Sequence, residues 1–130
     1  MDFQGKARKG PFHFGDRIQL SDAKGKLYSF TLKEGGSWHS HKGIVEHAQC
    51  VGLPDGSFVT STSGAQYFAI RPLYEDFVLA MPRGATIVYP KDAADIVGFG
   101  DISEGDVVLE AGVGSGALTI ALLRAVGPAG

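Results

Sequence analysis

Apolar and polar positions alternate with period two in Arg17-Ile18-Gln19-Leu20 and again in Leu27-Tyr28-Ser29-Phe30-Thr31-Leu32, the pattern of half-buried strands. Asp22-Ala23-Lys24-Gly25 between them supplies turn chemistry, so the two runs predict a β-hairpin. Lys33-Glu34-Gly35-Gly36-Ser37 makes a further turn. Phe58-Val59-Thr60-Ser61-Thr62 and Gln66-Tyr67-Phe68-Ala69-Ile70, joined through Ser63-Gly64, predict a second hairpin. Residues 15–71 therefore read as a small antiparallel sheet or partial barrel. Residues 1–14 are polar and carry no period, and read as a flexible arm.

The period changes after Arg71. Pro72 stands at a helix start, Leu73, Tyr74, Phe77, Val78 and Met81 follow at helical spacing, and Pro82-Arg83-Gly84 stops the run. Thr86-Ile87-Val88-Tyr89 reads as a short extended segment, and Pro90-Lys91-Asp92 leads into a helix with Asp92 as its N-cap and Gly98 to Gly100 as its end. Val107, Val108 and Leu109 form the continuous apolar run of a buried parallel strand. A last helix carrying Leu118, Ile120, Ala121, Leu122, Leu123 and Val126 closes at Gly127-Pro128. The fold class expected is α+β, with a β domain over 15–71 and the start of a Rossmann-like α/β domain over 72–130. A doubly wound sheet needs more strands than this to cover the first one, so the second domain is expected to be incomplete.

Between that strand and that helix lies the stretch with the clearest chemistry, residues 106–116, Asp-Val-Val-Leu-Glu-Ala-Gly-Val-Gly-Ser-Gly. Strand, glycine turn and helix in that order make a nucleotide-type site: Gly112 can take positive φ, and Gly114 and Gly116 remove Cβ atoms between backbone and ligand. The run from Gly112 to Ala117 also satisfies the loose dinucleotide pattern, so NAD stays open as the alternative. Charge favours another ligand. Glu110, two residues before the first glycine, would repel a pyrophosphate but suits a cation, and S-adenosylmethionine carries a sulfonium and an ammonium with no phosphate.

The net charge of −2 conceals an asymmetry. Residues 1–42 hold eight Lys/Arg against four Asp/Glu, and the remainder four against ten, so the front third is +4 and the rest −6. A polyanionic partner is thus directed to the front. Residues 38–47, Trp-His-Ser-His-Lys-Gly-Ile-Val-Glu-His, hold three of the four histidines. In a strand His39 and His41 would point the same way, which raises a metal site. A third ligand from His47 or Glu46 would need a fortunate fold, and a polar loop with Lys42 beside Gly43 contacting an anion explains the same residues; no metal is expected. Cys50 is the only cysteine and reads as a buried small hydrophobe. No apolar run approaches a membrane span and no signal core precedes Gly15, so the chain is expected to be cytoplasmic, with no membrane partner.

The residues also carry a family resemblance, over nearly all of 15–130. Gly15-Asp16-Arg17-Ile18-Gln19-Leu20, His39-Ser40-His41-Lys42-Gly43, Arg71-Pro72-Leu73, Met81-Pro82-Arg83-Gly84, Tyr89-Pro90-Lys91-Asp92-Ala93-Ala94 and Leu109-Glu110-Ala111-Gly112-Val113-Gly114-Ser115-Gly116 are similar to the front part of bacterial tRNA (adenine-58-N1)-methyltransferases of the TrmI type, actinobacterial members above all. The resemblance implies S-adenosylmethionine as donor, tRNA as substrate and a homotetramer. It places donor binding on Leu109, Glu110, Ala111, Gly112, Gly114, Ser115 and Gly116 with Tyr89, Pro90, Lys91 and Asp92. It places RNA contacts on His39, His41, Lys42 and Gly43, to which the basic front third adds Lys24. Arg83 and Lys91 are further candidates near the target nucleotide. The family's ribose-binding acid and catalytic aspartate would fall beyond Gly130, so the chain is expected to hold no catalytic residue and to be inactive alone. Two other functions compete: a methyltransferase piece acting on a small molecule or protein, and a non-enzymatic RNA-binding β module.

Overall fold

The computed structural model describes residues 10–130, which form two compact units that divide between Pro72 and Leu73. In the first, strands β1 (Arg17–Ser21), β2 (Leu27–Thr31), β5 (Ser57–Thr60) and β6 (Gln66–Ile70) make an antiparallel sheet in the order β2-β1-β6-β5. Arg17 pairs with Thr31 across the first hairpin, Gln19 with Ile70, and Phe58 with Phe68 across the second. Both hairpins stand where the period-two runs placed them. Their inward positions, Ile18, Leu20, Val59, Tyr67 and Ala69, join Phe12, Leu32, Val45 and Cys50 in one core.

The segment read as a polar loop is instead a hairpin, β3 (Ser37–Ser40) and β4 (Gly43–Glu46), followed by one turn of helix, α1 (His47–Cys50). Its register, Trp38 opposite Val45 and His39 opposite Ile44, carries Val45 into the core. Burial of Trp38 and Val45 outweighs the polarity of the residues between them. The arm is corrected as well, over the part of it that is described. Residues 1–9 lie outside the described residues, but Phe12 is fully buried and its N–H donates to the Leu53 carbonyl at 2.9 Å.

Burial has a chemical consequence at Cys50, where desolvation pushes the thiol pKa up to about 11. The thiolate is the nucleophile, so alkylation of the folded protein by iodoacetamide near pH 8 is expected to run at least about a hundredfold slower than in urea. Equal rates in the two states would place Cys50 at the surface.

The second unit holds helices α2 (Tyr74–Leu79), α3 (Pro90–Phe99) and α4 (Ala117–Val126), then a 3-10 turn (Gly127–Ala129). Pro72 does not start α2. The helix begins at Tyr74, and the Asp76 carboxylate accepts from the Leu73 N–H at 3.2 Å. Asp92 is not the N-cap of α3: Tyr89 is, with Pro90 at the first helical position and Asp92 in the first turn. Proline loses nothing there because that N–H has no partner inside a helix, and the Asp92 charge favours the positive end of the helix dipole.

Two expected extended segments are not strands. Residues 86–89 and 107–109 form no ladder, and Val107 and Leu109 are 95% and 94% exposed. A parallel strand exists only through its neighbours' hydrogen bonds, and no strand is present among residues 73–130 to provide them. One cluster in this unit gathers Val78, Ile87 and Ala117, with Tyr74 and Met81 against them, and Ala93, Ala121, Leu122 and Val126 are also buried on α3 and α4. Among the described residues no helix is long and apolar enough to cross a membrane.

Candidate functional site: a glycine turn and a basic hairpin end

In the second unit the turn before α4 is built from backbone. Gly112, Gly114 and Gly116 have φ of 79°, 57° and 82°, in the left-handed region where a Cβ is strained. Gly116 is the residue that caps α4, and the Ser115 hydroxyl accepts from the Ala117 N–H at 3.3 Å. A Cβ at Gly112 or Gly116 would meet nothing within 4 Å, so these glycines face open space. A Cβ at Gly114 would lie 3.7 Å from the Thr86 carbonyl oxygen. That contact sets the turn beside a cleft of about 400 Å³ lined by Arg83, Gly84, Ala85, Thr86, Ile87 and Tyr89.

Glu110 is half-buried, and its Oε2 accepts from the Thr119 hydroxyl at 2.6 Å. Thr119 stands in the first turn of α4, so the helix itself holds the carboxylate at the turn. Arg83 donates from Nη1 to the Tyr89 hydroxyl at 2.6 Å, with its guanidinium 5.7 Å from that ring's centre. The structure thus joins Tyr89, a candidate for the donor, to Arg83, a candidate for RNA. Pro90, Lys91 and Asp92 follow as the opening of α3, while Leu109 and Ala111 are exposed. Thr86 and Thr119 were not anticipated. Thr119 had a signal, a hydroxyl three residues into the helix after the glycine turn; Thr86 had none.

In the first unit the tips of the hairpins meet at one end. The Asp22 carboxylate is held below its ordinary value first by the Lys26 backbone N–H, then by that of Lys24, and by the charges of Lys42 and Lys24. Asp22 Oδ1 accepts those two N–H groups at 3.0 and 2.9 Å. Lys24, Lys26 and Lys42 therefore share one neighbourhood. The Lys42 backbone is fixed closely: its carbonyl accepts from the Ser61 and Ser63 hydroxyls, each at 2.5 Å, and its N–H donates to Ser40 Oγ at 3.1 Å. Gly43 has φ 93°, and a Cβ there would stand 2.8 Å from Thr62 Oγ1 and 2.9 Å from the Ser63 nitrogen. Only glycine admits that approach.

His39 and His41 do not share a strand face. β3 stops at Ser40, so His41 lies in the turn, and His39 Nε2 is 2.9 Å from the Ser37 hydroxyl. No group of three His, Cys, Asp or Glu able to hold a metal gathers among the described residues.

A glycine turn that opens a helix, in a chain that also carries an antiparallel β unit, places the protein in the Rossmann-like methyltransferase class. A solved structure from Thermotoga maritima, described as a SAM-dependent O-methyltransferase, superposes with a TM-score of 0.83 at 32% identity, over 93% of this chain and 45% of that one. The tRNA (m1A58) methyltransferase TrmI of Aquifex aeolicus superposes with a TM-score of 0.68 at 27% identity, over 88% and 44%. Residues 10–59 match the family described as TrmI-like N-terminal, and residues 66–130, half of the chain, match that of the tRNA methyltransferase complex GCD14 subunit. The chain belongs to this GCD14 tRNA methyltransferase family. The tRNA (adenine(58)-N(1))-methyltransferase TrmI of Thermus thermophilus is 45% identical over 113 residues, 87% of this chain. The chain spans 44% of the length of that relative.

Proposed function

We propose that the protein transfers a methyl group from S-adenosylmethionine to N1 of adenine-58 in tRNA, the second unit holding the donor and the first contacting the RNA. The observation that carries this reading is the Thr119-tethered Glu110 carboxylate at the mouth of a three-glycine turn. A carboxylate there attracts a sulfonium and an ammonium and repels a pyrophosphate, which disfavours the NAD alternative. The residues fit the donor: bare glycines let the ligand reach backbone N–H groups, and the adjoining cleft bordered by Tyr89 has room for part of a nucleoside. When bound, the donor supplies an activated methyl group. The chain's own residues then bind, orient and exclude water, which is most of what an in-line transfer requires of a protein.

For the RNA, Lys24 and Lys42 with His39, His41 and Gly43 form the contact surface of the first unit, and Arg83 serves near the target nucleotide from the second. The adenine must leave its stack to be reached. We further propose that the enzyme is a cytoplasmic homotetramer and that these 130 residues by themselves turn over no substrate. The Thermotoga maritima structure, described as an O-methyltransferase, favours a second reading in which the acceptor is an oxygen of another substrate.

The deciding experiment is tritiated-methyl transfer to unmodified tRNA and to a transcript in which guanine replaces adenine-58, with the full-length protein and with this chain. Label entering only the transcript that keeps the adenine, and only with the full-length protein, is the expected result; equal labelling of both transcripts excludes N1 of adenine-58 as the acceptor. Lys24→Ala together with Lys42→Ala is expected to lower tRNA affinity and reduce the slope of log affinity against log salt by about 0.9 for each duplex phosphate that the variant no longer neutralises. An unchanged slope moves the RNA surface elsewhere.

A further inference from the structure

The first unit carries a second cleft, of about 370 Å³, lined by Phe30, Lys33, Gly36, Ser37, Trp38 and His47. One wall of it is a near-parallel series of rings. Phe30 stacks with Trp38 at 5.9 Å between centres and 7° between planes, and with His47 at 4.9 Å and 16°. His47 is only 6% exposed. Its Nδ1 accepts from the Lys33 backbone N–H at 2.9 Å, so the ring carries its proton on Nε2. That Nε2–H has no protein partner among the described residues, yet no side-chain nitrogen or oxygen there is both buried and unsatisfied. The N–H is therefore not sealed from solvent, and His47 is one of the residues lining the cleft. Gly36 makes this placement possible, since a Cβ there would stand 2.5 Å from His47 Nδ1. Lys33, exposed and in no ion pair among the described residues, adds a positive charge at the rim.

An aromatic wall, one N–H donor without a protein partner among the described residues and a free ammonium are the complement of a planar ring with acceptor atoms joined to a phosphate. We infer that this cleft takes one unpaired nucleotide of the RNA, its base against the Phe30, Trp38 and His47 rings, an acceptor of the base on His47 Nε2–H, and its phosphate at Lys33. This rests on the reading that the protein binds RNA. A paired base offers no free face, so the nucleotide comes from a loop or a single strand. An apolar peptide would leave both the donor and the ammonium without a partner.

Trp38 is the chain's single tryptophan, so its fluorescence reports on the cleft directly. The test uses the full-length protein with a short oligouridylate as probe, inorganic phosphate as control and Trp38→Phe as the blank for any other emitter. Oligouridylate is expected to quench Trp38 emission while phosphate at the same concentration does not. Phe30→Leu is expected to weaken oligouridylate binding about tenfold and Lys33→Ala about threefold to fivefold. Should Phe30→Leu fail to fold, Lys33→Ala, at an exposed side chain, still carries the test. Filter retention of tRNA is measured alongside. Retention of tRNA with silent Trp38 emission, or with oligouridylate affinity unmoved by both variants, overturns the cleft and leaves the RNA reading standing. No retention of tRNA or oligouridylate overturns the RNA reading and the cleft with it.

Discussion

Arg71→Ala is expected to destabilise the unit of residues 10–72 by about 2–4 kcal/mol, a large part of what holds a small domain folded. Arg71 is the fork that ties the chain before β1 to the end of β6. Its Nη1 donates to the Gly10 carbonyl at 3.0 Å, and its Nη2 to the Pro11 carbonyl at 3.0 Å and to Asp16 Oδ2 at 3.1 Å. The guanidinium also lies 4.6 Å from the centre of the Phe12 ring, which is wholly buried beneath it. The side chains of Arg71 and Asp16 are only 16% and 23% exposed. Truncation therefore strands the partly buried Asp16 carboxylate and frees the exposed Gly10 and Pro11 carbonyls from their tie to β6, in addition to uncovering Phe12. Arg71→Lys keeps the charge but not the planar fork, and should recover less than half of the loss. Urea unfolding followed by Trp38 fluorescence measures both variants; an Arg71→Ala midpoint equal to that of the parent would show that the fork holds nothing.

Glu110→Gln in the full-length protein is expected to weaken S-adenosylmethionine binding by about tenfold to a hundredfold, the cost of removing one charge-assisted contact at a half-buried site. Glutamine keeps the shape and can still accept from Thr119, so the change isolates charge. Titration calorimetry with S-adenosylmethionine and with S-adenosylhomocysteine divides the effect: the second ligand lacks the sulfonium but keeps the ammonium. A loss confined to the methyl donor places the carboxylate near sulfur, and an equal loss for both places it at the amino acid end. Thr119→Val should cost about threefold to tenfold by freeing the carboxylate, with Thr119→Ser restoring the parent value. Donor affinity unaffected by Glu110→Gln would remove the charge argument on which the proposed ligand rests.

The parts of this protein that were legible in its sequence are those set by neighbours along the chain. Both hairpins of the main sheet follow from period two and from Asp22-Ala23-Lys24-Gly25 and Ser63-Gly64 between the runs, because alternation alone decides which face of a strand is buried. The glycine turn was legible for the same reason, although positive φ was expected at Gly112 alone and Gly114 and Gly116 adopt it as well. Pro90 was a readable start for α3, and the more familiar capping preference of aspartate misdirected the expectation to Asp92.

What lay beyond the sequence depends on partners remote along it. Ser37-Trp38-His39-Ser40 has no alternation strong enough to declare a strand, and becomes one because Trp38 finds Phe30, Tyr28 and Tyr67. His47 reads as a spare ligand and is in fact an acceptor for the Lys33 backbone, placed by the absence of a side chain at Gly36. Arg71 reaches residues 55 to 61 positions away. Val107 to Leu109 shows the limit from the other side: composition marks the run as fit for burial, but its strand state belongs to the neighbours that would pair with it, and Val107 and Leu109 stand almost fully exposed. Local pattern thus determined the hairpins of the main sheet, the glycine turn and the helical runs; packing across the fold decided which further segments pair, which polar atoms are left without a partner, and which apolar residues find cover, because burial and hydrogen bonding are properties of the surroundings and not of a residue alone.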